Sequence, residues 1–274
     1  MMNIRRKLRS VLPPLVVAEL RRFSRGASQF SGDYRSWAEA QAAATGYDAD
    51  LILQRVAAAT RQVLAGHAAY ERDSVLFAEP AHPYPVLAAL LRTAALNQGR
   101  LNVIDYGGSL GSSYRQCRAF LGDLPALRWC VVEQPHFAAA GAREFSTSEL
   151  TFADSLAAVA WWGEPCLVLL SSVLQYLELP GQLLDDLARS QAMAIVIDRT
   201  PLSAAAQDRL CVQTVPRSIY SASYPCWILS RQALLERQSR HWSLVSEFSC
   251  DEGRFSTRDR FAFDFVGMIF ERPA

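Results

Sequence analysis

Short apolar segments that alternate with helical patterns dominate the middle of the chain. Five of them resemble buried strands, at residues 102–105, 129–133, 150–154, 166–172 and 194–198. Strands in this pattern are joined by right-handed crossovers, which place them side by side in a parallel sheet. Two later segments, 241–249 and 263–271, are separated by a turn-prone stretch and predict an antiparallel hairpin at the sheet edge. We therefore expect an α/β fold.

The first of these strands leads into a glycine-rich turn, DYGGSLGSSY. Asp105 stands at the end of the strand, and Gly107, Gly108 and Gly111 let the backbone turn sharply and approach a ligand without a Cβ in the way. We expect Ser112 or Ser113 to cap the helix that follows. Such a loop either holds a nucleotide-like cofactor or is only a tight connection between strand and helix.

Composition excludes several classes of function. The chain has 274 residues and 50% hydrophobic content, enough for a large core, and its net charge of +1 gives no overall field to recruit nucleic acid. The histidines lack metal-site spacing and the cysteines lack a CxxC pair, so we expect reduced core cysteines and no metal site. Lys7 is the single lysine, which argues against P-loop and Schiff-base enzymes.

The chain divides into three regions. Residues 1–30 form a basic amphipathic segment whose apolar stretch is too short to span a membrane, and no small-residue cleavage site follows it. We expect a cytoplasmic protein in which residues 1–25 are either a solvated terminus or a peripheral contact with an anionic membrane. Residues 31–96 predict an all-helical region, and residues 97–274 contain the Rossmann-like domain.

Several motifs along the chain carry a family resemblance: DYGGSLGSSY, WCVVEQP, LLSSVLQYLELP, IDRTP and VPRSIYSASYPCWILS. Together they resemble class I, S-adenosylmethionine-dependent methyltransferases, and in particular a family known mainly from bacterial genomes. The resemblance implies a Rossmann-like sheet with an antiparallel last strand and S-adenosylmethionine as cofactor. The cofactor-binding residues that it implies are Asp105, Gly107, Gly108, Gly111, Glu133, Asp154 and Ser171.

Two of these assignments have alternatives, and one position departs from the family pattern. Glu133, which would bind the ribose hydroxyls, stands where it could instead cap the following helix, and Asp154, beside the adenine, also fits a helix N-cap. Ser109 replaces the middle glycine of the family pattern, so its Cβ is expected to crowd the methionine part of the cofactor.

The reacting centre of such a sheet lies beyond the carboxyl ends of its strands. There we predict Asp198 as the general base, with Tyr176 and Gln175 positioning the acceptor; alternatively, Asp198 only pairs with Arg199 and the serines after the fourth strand only cap a helix. Residues 215–227 occupy the place of an acceptor-binding insertion, although packing explains its aromatic residues equally well. The predicted substrate-binding residues are Arg199, Arg217, Tyr220, Tyr224 and Trp227.

These observations favour O-methylation of a small molecule or a glycan hydroxyl. The alternatives are an NAD(P)-dependent oxidoreductase, for which GGSLG fits GxGxxG poorly, and a catalytically silent scaffold protein. We expect residues 31–96 to form a helical cap over the crevice, with Tyr70, Arg72 or Asp73 near the acceptor. The competing interpretation is a helical module that only stabilises the flank of the sheet.

Overall fold

The computed structural model describes residues 29–46, 49–216 and 222–273. The basic segment 1–30 therefore lies almost entirely outside the described residues. The α-helices are α1 (Trp37–Ala43), α2 (Ala49–Leu64), α3 (Tyr84–Leu96), α4 (Ser112–Arg118), α5 (Pro135–Glu144), α6 (Pro180–Ala188) and α7 (Arg231–Gln238). The strands are β1 (Gln29–Ser31), β2 (Tyr70–Arg72), β3 (Val75–Phe77), β4 (Arg100–Tyr106), β5 (Ala126–Val132), β6 (Leu150–Ala153), β7 (Cys166–Ser171), β8 (Ala192–Ser203), β9 (Arg209–Thr214), β10 (Ser223–Ser230), β11 (Ser243–Ser256) and β12 (Ala262–Glu271).

The central sheet has the order β6-β5-β4-β7-β8-β12-β11. Strands β4 to β8 pair in parallel, whereas β12 runs antiparallel to both β8 and β11. This is the Rossmann-like sheet with an antiparallel last strand that the sequence predicted. The terminal hairpin is confirmed: β12 pairs with β8 inside the sheet, and β11 is the edge strand.

A smaller group of strands joins the part of β8 that continues past the end of β7. Ser171, the last residue of β7, pairs with Asp198, whereas β10 joins β8 further along, at Leu202 and Ser203. Strands β9 and β1 continue the sheet outward from β10 in antiparallel pairs. Part of the predicted insertion, residues 215–227, thus enters β10, a strand that the sequence did not indicate.

Alternate residues of the central strands fill two cores, one on each face of the sheet. Ile104, Val168 and Ile197 lie on the face covered by α6 and α7. Val103 and Leu169 lie on the opposite face with residues of α3 and α4. Both faces are apolar because helices cover both, as in parallel sheets generally.

The expectation that residues 31–96 are all-helical is wrong. Strands β2 and β3 form a separate hairpin within this region. Its turn consists of Asp73 and Ser74, both with left-handed backbone conformations (φ 51° and 65°). Such two-residue turns usually carry glycine at the second position, where this chain has Ser74, so the local sequence did not indicate the hairpin.

The helices of this region pack in three different places. Helix α1 is capped by Ser36, whose Oγ accepts a hydrogen bond from the Glu39 N–H (3.2 Å), and it packs on β9 and β10. Helix α2 packs through Val56 against Leu110 of the glycine turn and against Phe137 of α5. Helix α3 packs on the face of the central sheet. Among the described residues, no helix is long and apolar enough to cross a membrane.

Candidate functional site

The turn after β4 needs glycine for steric reasons at two positions. A Cβ on Gly108 would lie 2.4 Å from Cγ of Asp105, and a Cβ on Gly107 would lie 2.6 Å from Cγ2 of Val173. The turn therefore packs directly on the Asp105 carboxyl group and on the loop after β7. Gly111 also adopts a left-handed conformation (φ 88°) immediately before α4.

Ser109, the departure from the family pattern, also has a left-handed backbone (φ 55°). A non-glycine residue in this region costs on the order of 1 kcal/mol or more. Its N–H donates a hydrogen bond to Oε1 of Glu133 (3.2 Å). The turn thus keeps a glycine-like conformation at Ser109, and the Glu133 carboxylate, which follows β5, is hydrogen-bonded to it.

Asp105 is buried at the end of β4, and one of its oxygens lacks a partner among the described residues. The Trp129 Nε1–H donates to Oδ2 (3.2 Å), whereas Oδ1 has no hydrogen bond. Burial raises the pKa of Asp105 to about 7; the nearby charge of Glu133 also raises it, and the Trp129 bond lowers it. A buried unpaired oxygen costs about 1–3 kcal/mol, so a ligand that donates a hydrogen bond to Oδ1 would be stabilised.

Glu133 and Asp154 follow neighbouring strands at the same edge. Val132 pairs with Ala153, so the next residue of each strand lies beside the other. Glu133 accepts hydrogen bonds from the N–H groups of Ser109 (3.2 Å) and Gln134 (2.8 Å), and burial raises its pKa. Asp154 is exposed and accepts a hydrogen bond from Ser155 Oγ (3.1 Å).

A second polar cluster lies where β7 ends, beside the middle of β8. Ser171 Oγ donates to Oδ2 of Asp198 (2.6 Å) and accepts from Nε of Arg199 (3.1 Å). Arg199 also lies 3.6 Å from the Asp198 carboxylate, so the predicted alternative, an Asp198–Arg199 ion pair, is present. Cys250 Sγ donates to the other oxygen of Asp198 (3.6 Å). Both oxygens of this carboxylate therefore have partners.

Gln175 is completely buried beside this cluster. Its Nε2 donates to Ser172 Oγ (3.1 Å) and to the Arg199 carbonyl (3.3 Å), and its Oε1 has no partner among the described residues. Ser172 itself has a left-handed backbone (φ 58°). Gln175 thus ties the loop after β7 to the middle of β8.

The predicted aromatic residues separate into two groups. The Tyr176 hydroxyl donates to Gln213 Oε1 (3.0 Å), and its ring meets Tyr224 edge-on with centroids 5.2 Å apart. Trp227 stacks on Trp37 and donates from Nε1 to the Leu177 carbonyl (3.1 Å), so packing accounts for its position. The predicted substrate-binding residues Arg217 and Tyr220 lie outside the described residues.

The β2–β3 hairpin contacts both halves of the crevice. Glu71 is buried, accepts a hydrogen bond from Ser112 Oγ at the start of α4, and has its pKa raised by burial. Arg72 reaches Oε1 of Glu252 (3.5 Å). The hairpin therefore contacts the start of α4 and shares the Glu252 carboxylate with Arg199 of β8.

Glu252 of β11 is a candidate that the sequence analysis missed. Its Oε1 lies 3.5 Å from Arg72 and 3.9 Å from Arg199, while Oε2 is buried without a partner among the described residues. No motif surrounds Glu252, which belongs to a stretch that predicts only a turn. In the described parts of the chain, no cluster of three or more His, Cys, Asp or Glu residues is arranged to hold a metal.

No family model matches the chain, and no curated protein matches it. Solved structures with a similar chain path include the N-terminal domain of EvdMO1 in the presence of SAH and D-fucose, at 16% identity, 84% coverage of this chain, 98% of that chain and a TM-score of 0.45. Magnesium protoporphyrin IX methyltransferase from Synechocystis PCC 6803 with bound SAM has 16% identity, 69% and 77% coverage and a TM-score of 0.40. Burkholderia thailandensis 1,6-didemethyltoxoflavin-N1-methyltransferase, with bound 1,6-didemethyltoxoflavin and S-adenosylhomocysteine, has 14% identity, 84% and 95% coverage and a TM-score of 0.39. The strand order and direction described above establish the fold.

Proposed function

We propose that this chain, which has the Rossmann-like fold of class I methyltransferases, is an S-adenosylmethionine-dependent methyltransferase. The observation that carries the proposal is that three acidic residues at strand ends lie together with the glycine turn at one edge of the sheet. Asp105 packs under Gly108, Glu133 accepts from the Ser109 amide, and Asp154 lies next to Glu133. This is the edge where ligands bind in open α/β sheets.

The residues present fit the cofactor. The unpartnered Oδ1 of Asp105 suits the ammonium group of the methionine part, and the glycine turn leaves no Cβ at position 108. The Glu133 carboxylate suits the paired ribose hydroxyls, and Asp154 suits the adenine. When bound, S-adenosylmethionine supplies an electrophilic methyl group. The protein holds the acceptor in line with it and removes the acceptor's proton.

We infer that the acceptor is a hydroxyl of a small molecule or glycan. Gln175 offers a buried acceptor oxygen, and Ser171, Asp198 and Arg199 form a polar wall beside it. Tyr176, with Tyr224 against its ring, adds an aromatic surface next to this wall. A polar wall beside an aromatic surface suits a sugar or another hydroxyl-bearing ring.

Calorimetry of the purified protein with S-adenosylmethionine, S-adenosylhomocysteine and NADH tests the cofactor. We expect binding of both methionine derivatives, and S-adenosylhomocysteine at one hundred times its Kd should add about 2.7 kcal/mol to the free energy of unfolding. Binding of NADH alone would favour an oxidoreductase, and binding of none of the three would favour a scaffold protein.

The acceptor is tested with tritium-labelled methyl groups. Small-molecule and glycan extracts from a strain that lacks the gene provide the acceptor pool, and labelled S-adenosylmethionine provides the methyl donor. We expect label in a base-stable ether. Label in protein or nucleic acid instead would contradict the proposed acceptor class.

A further inference from the structure

A bulge in the edge strand β11 directs two side chains into the crevice. The β11–β12 pairing shifts between Ser249 and Arg254, so residues 250–253 lie outside the regular ladder. From this bulge Cys250 reaches Asp198, and Glu252 reaches Arg72 and Arg199. Bulges commonly redirect side chains next to active sites. The edge strand thus adds a carboxylate to the carboxyl ends of the central strands.

Two carboxylates in the crevice compete for the role of general base. Asp198 accepts from Ser171 at one oxygen and from Cys250 at the other, and only 8% of it is exposed. Glu252 differs because its contacts converge on one oxygen, Oε1. Its other oxygen, Oε2, is buried and has no hydrogen-bond partner among the described residues.

The surroundings of Glu252 also fix its orientation. Arg72 approaches from the hairpin and Arg199 from the middle of β8, on two different elements. Arg199 also donates to Ser171, so the acceptor wall and Glu252 share one guanidinium. A buried oxygen without a donor carries a desolvation cost, which a hydroxyl donor placed there would remove.

We propose that Glu252 binds the acceptor hydroxyl through Oε2 and is the general base of the reaction. This inference rests on the proposed methyltransferase function. The acceptor oxygen forms its bond to the methyl carbon, the carbon–sulfur bond breaks with its electron pair left on sulfur, and the hydroxyl proton moves to Oε2 of Glu252. Arg72 and Arg199 act as positioning residues for this carboxylate.

The hairpin gives this site a route of entry. Oε2 is buried in the present arrangement, and Arg72, which contacts the same carboxylate, belongs to the β2–β3 hairpin. We expect an acceptor to reach Glu252 by displacement of the hairpin. Return of Arg72 to Oε1 then closes the crevice around the acceptor and excludes water.

The test compares Glu252→Gln with the matched control Glu247→Gln. Glu247 lies on the same strand and forms an exposed ion pair with Arg231 at the start of α7 (2.9 Å). With labelled S-adenosylmethionine and the extract described above, Glu252→Gln should lower the rate of methyl incorporation about 10²- to 10⁴-fold, the usual contribution of a general base. Its affinity for S-adenosylhomocysteine and its melting temperature should match those of the wild type, and Glu247→Gln should keep the wild-type rate.

A second variant tests the assignment of Glu252 as the general base. Glu252→Ala leaves space beside Arg72 and Arg199, so added formate should restore part of its rate in a concentration-dependent way. Formate should not change the rate of Glu247→Ala. Rescue by a small carboxylate is expected for a missing base and not for a structural residue.

The outcomes separate this inference from the proposed function. Absence of any methyl incorporation by the wild type contradicts the function, and the inference fails with it. Wild-type incorporation together with an unchanged rate in Glu252→Gln overturns the inference alone. A parallel loss of S-adenosylhomocysteine affinity in Glu252→Gln would also overturn it, because Glu252 would then serve the cofactor.

Discussion

Replacing Glu133 with glutamine changes one oxygen for an NH₂ group and removes the charge, while the side-chain volume stays nearly the same. The wild-type carboxylate accepts from two backbone amides, at 3.2 Å and 2.8 Å. Glutamine can keep one of these bonds, and its NH₂ group then faces the other N–H. The variant therefore loses one acceptor and the charge that would bind the ribose hydroxyls.

The expected magnitude follows from these contacts. A hydrogen bond to a charged group contributes about 1.5–3 kcal/mol, so affinity for S-adenosylhomocysteine should fall roughly 10- to 150-fold. Stability should change less, because burial already opposes the charge of Glu133, as its raised pKa indicates. Calorimetric titration with S-adenosylhomocysteine measures the affinity, and thermal unfolding measures the stability.

Glu149→Gln is the matched control. Glu149 accepts from Tyr114 (2.8 Å) and Arg118 (2.6 Å) just before β6, at the opposite edge of the sheet. Its hydrogen bond from Arg118 lowers its pKa, so the ionised form contributes to the fold. The control should lose some stability and keep its affinity. Equal affinities in Glu133→Gln and the wild type would refute the assignment of Glu133 to the cofactor.

Three further predictions concern the same edge. Because the pKa of Asp105 rises from 3.8 to about 7 on folding, the unfolded chain loses this proton first, and wild-type stability should fall as pH rises from about 4 to 7. Asp105→Asn should remove this pH dependence. Urea unfolding should therefore show that the stability of the variant rises relative to that of the wild type between about pH 4 and 7. Parallel pH profiles of the free energy of unfolding would contradict the raised pKa. Gly108→Ala places a Cβ 2.4 Å from Asp105 Cγ; it should cost about 1–3 kcal/mol of stability and weaken S-adenosylhomocysteine binding. In the control Gly122→Ala, the new Cβ would meet only the flexible end of an arginine, so neither property should change. Equal unfolding curves for the two variants would count against the close packing at Gly108. Hydrogen exchange should show protection gained across residues 70–85 on addition of S-adenosylhomocysteine if the hairpin closes over the crevice, and protection confined to residues 105–155 would leave residues 31–96 with a structural role.

The central sheet was predictable because its signals are local. Each buried strand is a short apolar segment, and the predicted segments 150–154 and 166–172 correspond to Leu150–Ala153 and Cys166–Ser171. The glycine turn and the N-cap at Ser36 likewise depend on residues within a few positions. Such signals also predicted that acidic residues would follow successive strands at one edge.

The hairpin and the insertion strands were not predictable for the opposite reason. The turn at Asp73 and Ser74 lacks the glycine that usually follows the first turn residue, and β10 pairs with β8 and β9 through residues that are not adjacent in sequence. The Trp227 indole packs on Trp37 from a helix far earlier in the chain, a contact that no local pattern indicates. These positions result from packing between distant segments.

The sequence by itself determined the order of strands and helices, the glycine turn and the acids at the strand ends, because these follow from side-chain size and backbone preference within short stretches. Tertiary structure alone decided which charged groups meet. Arg72 and Glu252 are 180 residues apart in the chain, and they meet because a bulge in β11 and a hairpin before β4 converge on the same edge of the sheet. A pairing of this kind depends on the relative positions of folded elements, for which neither residue carries a local signal.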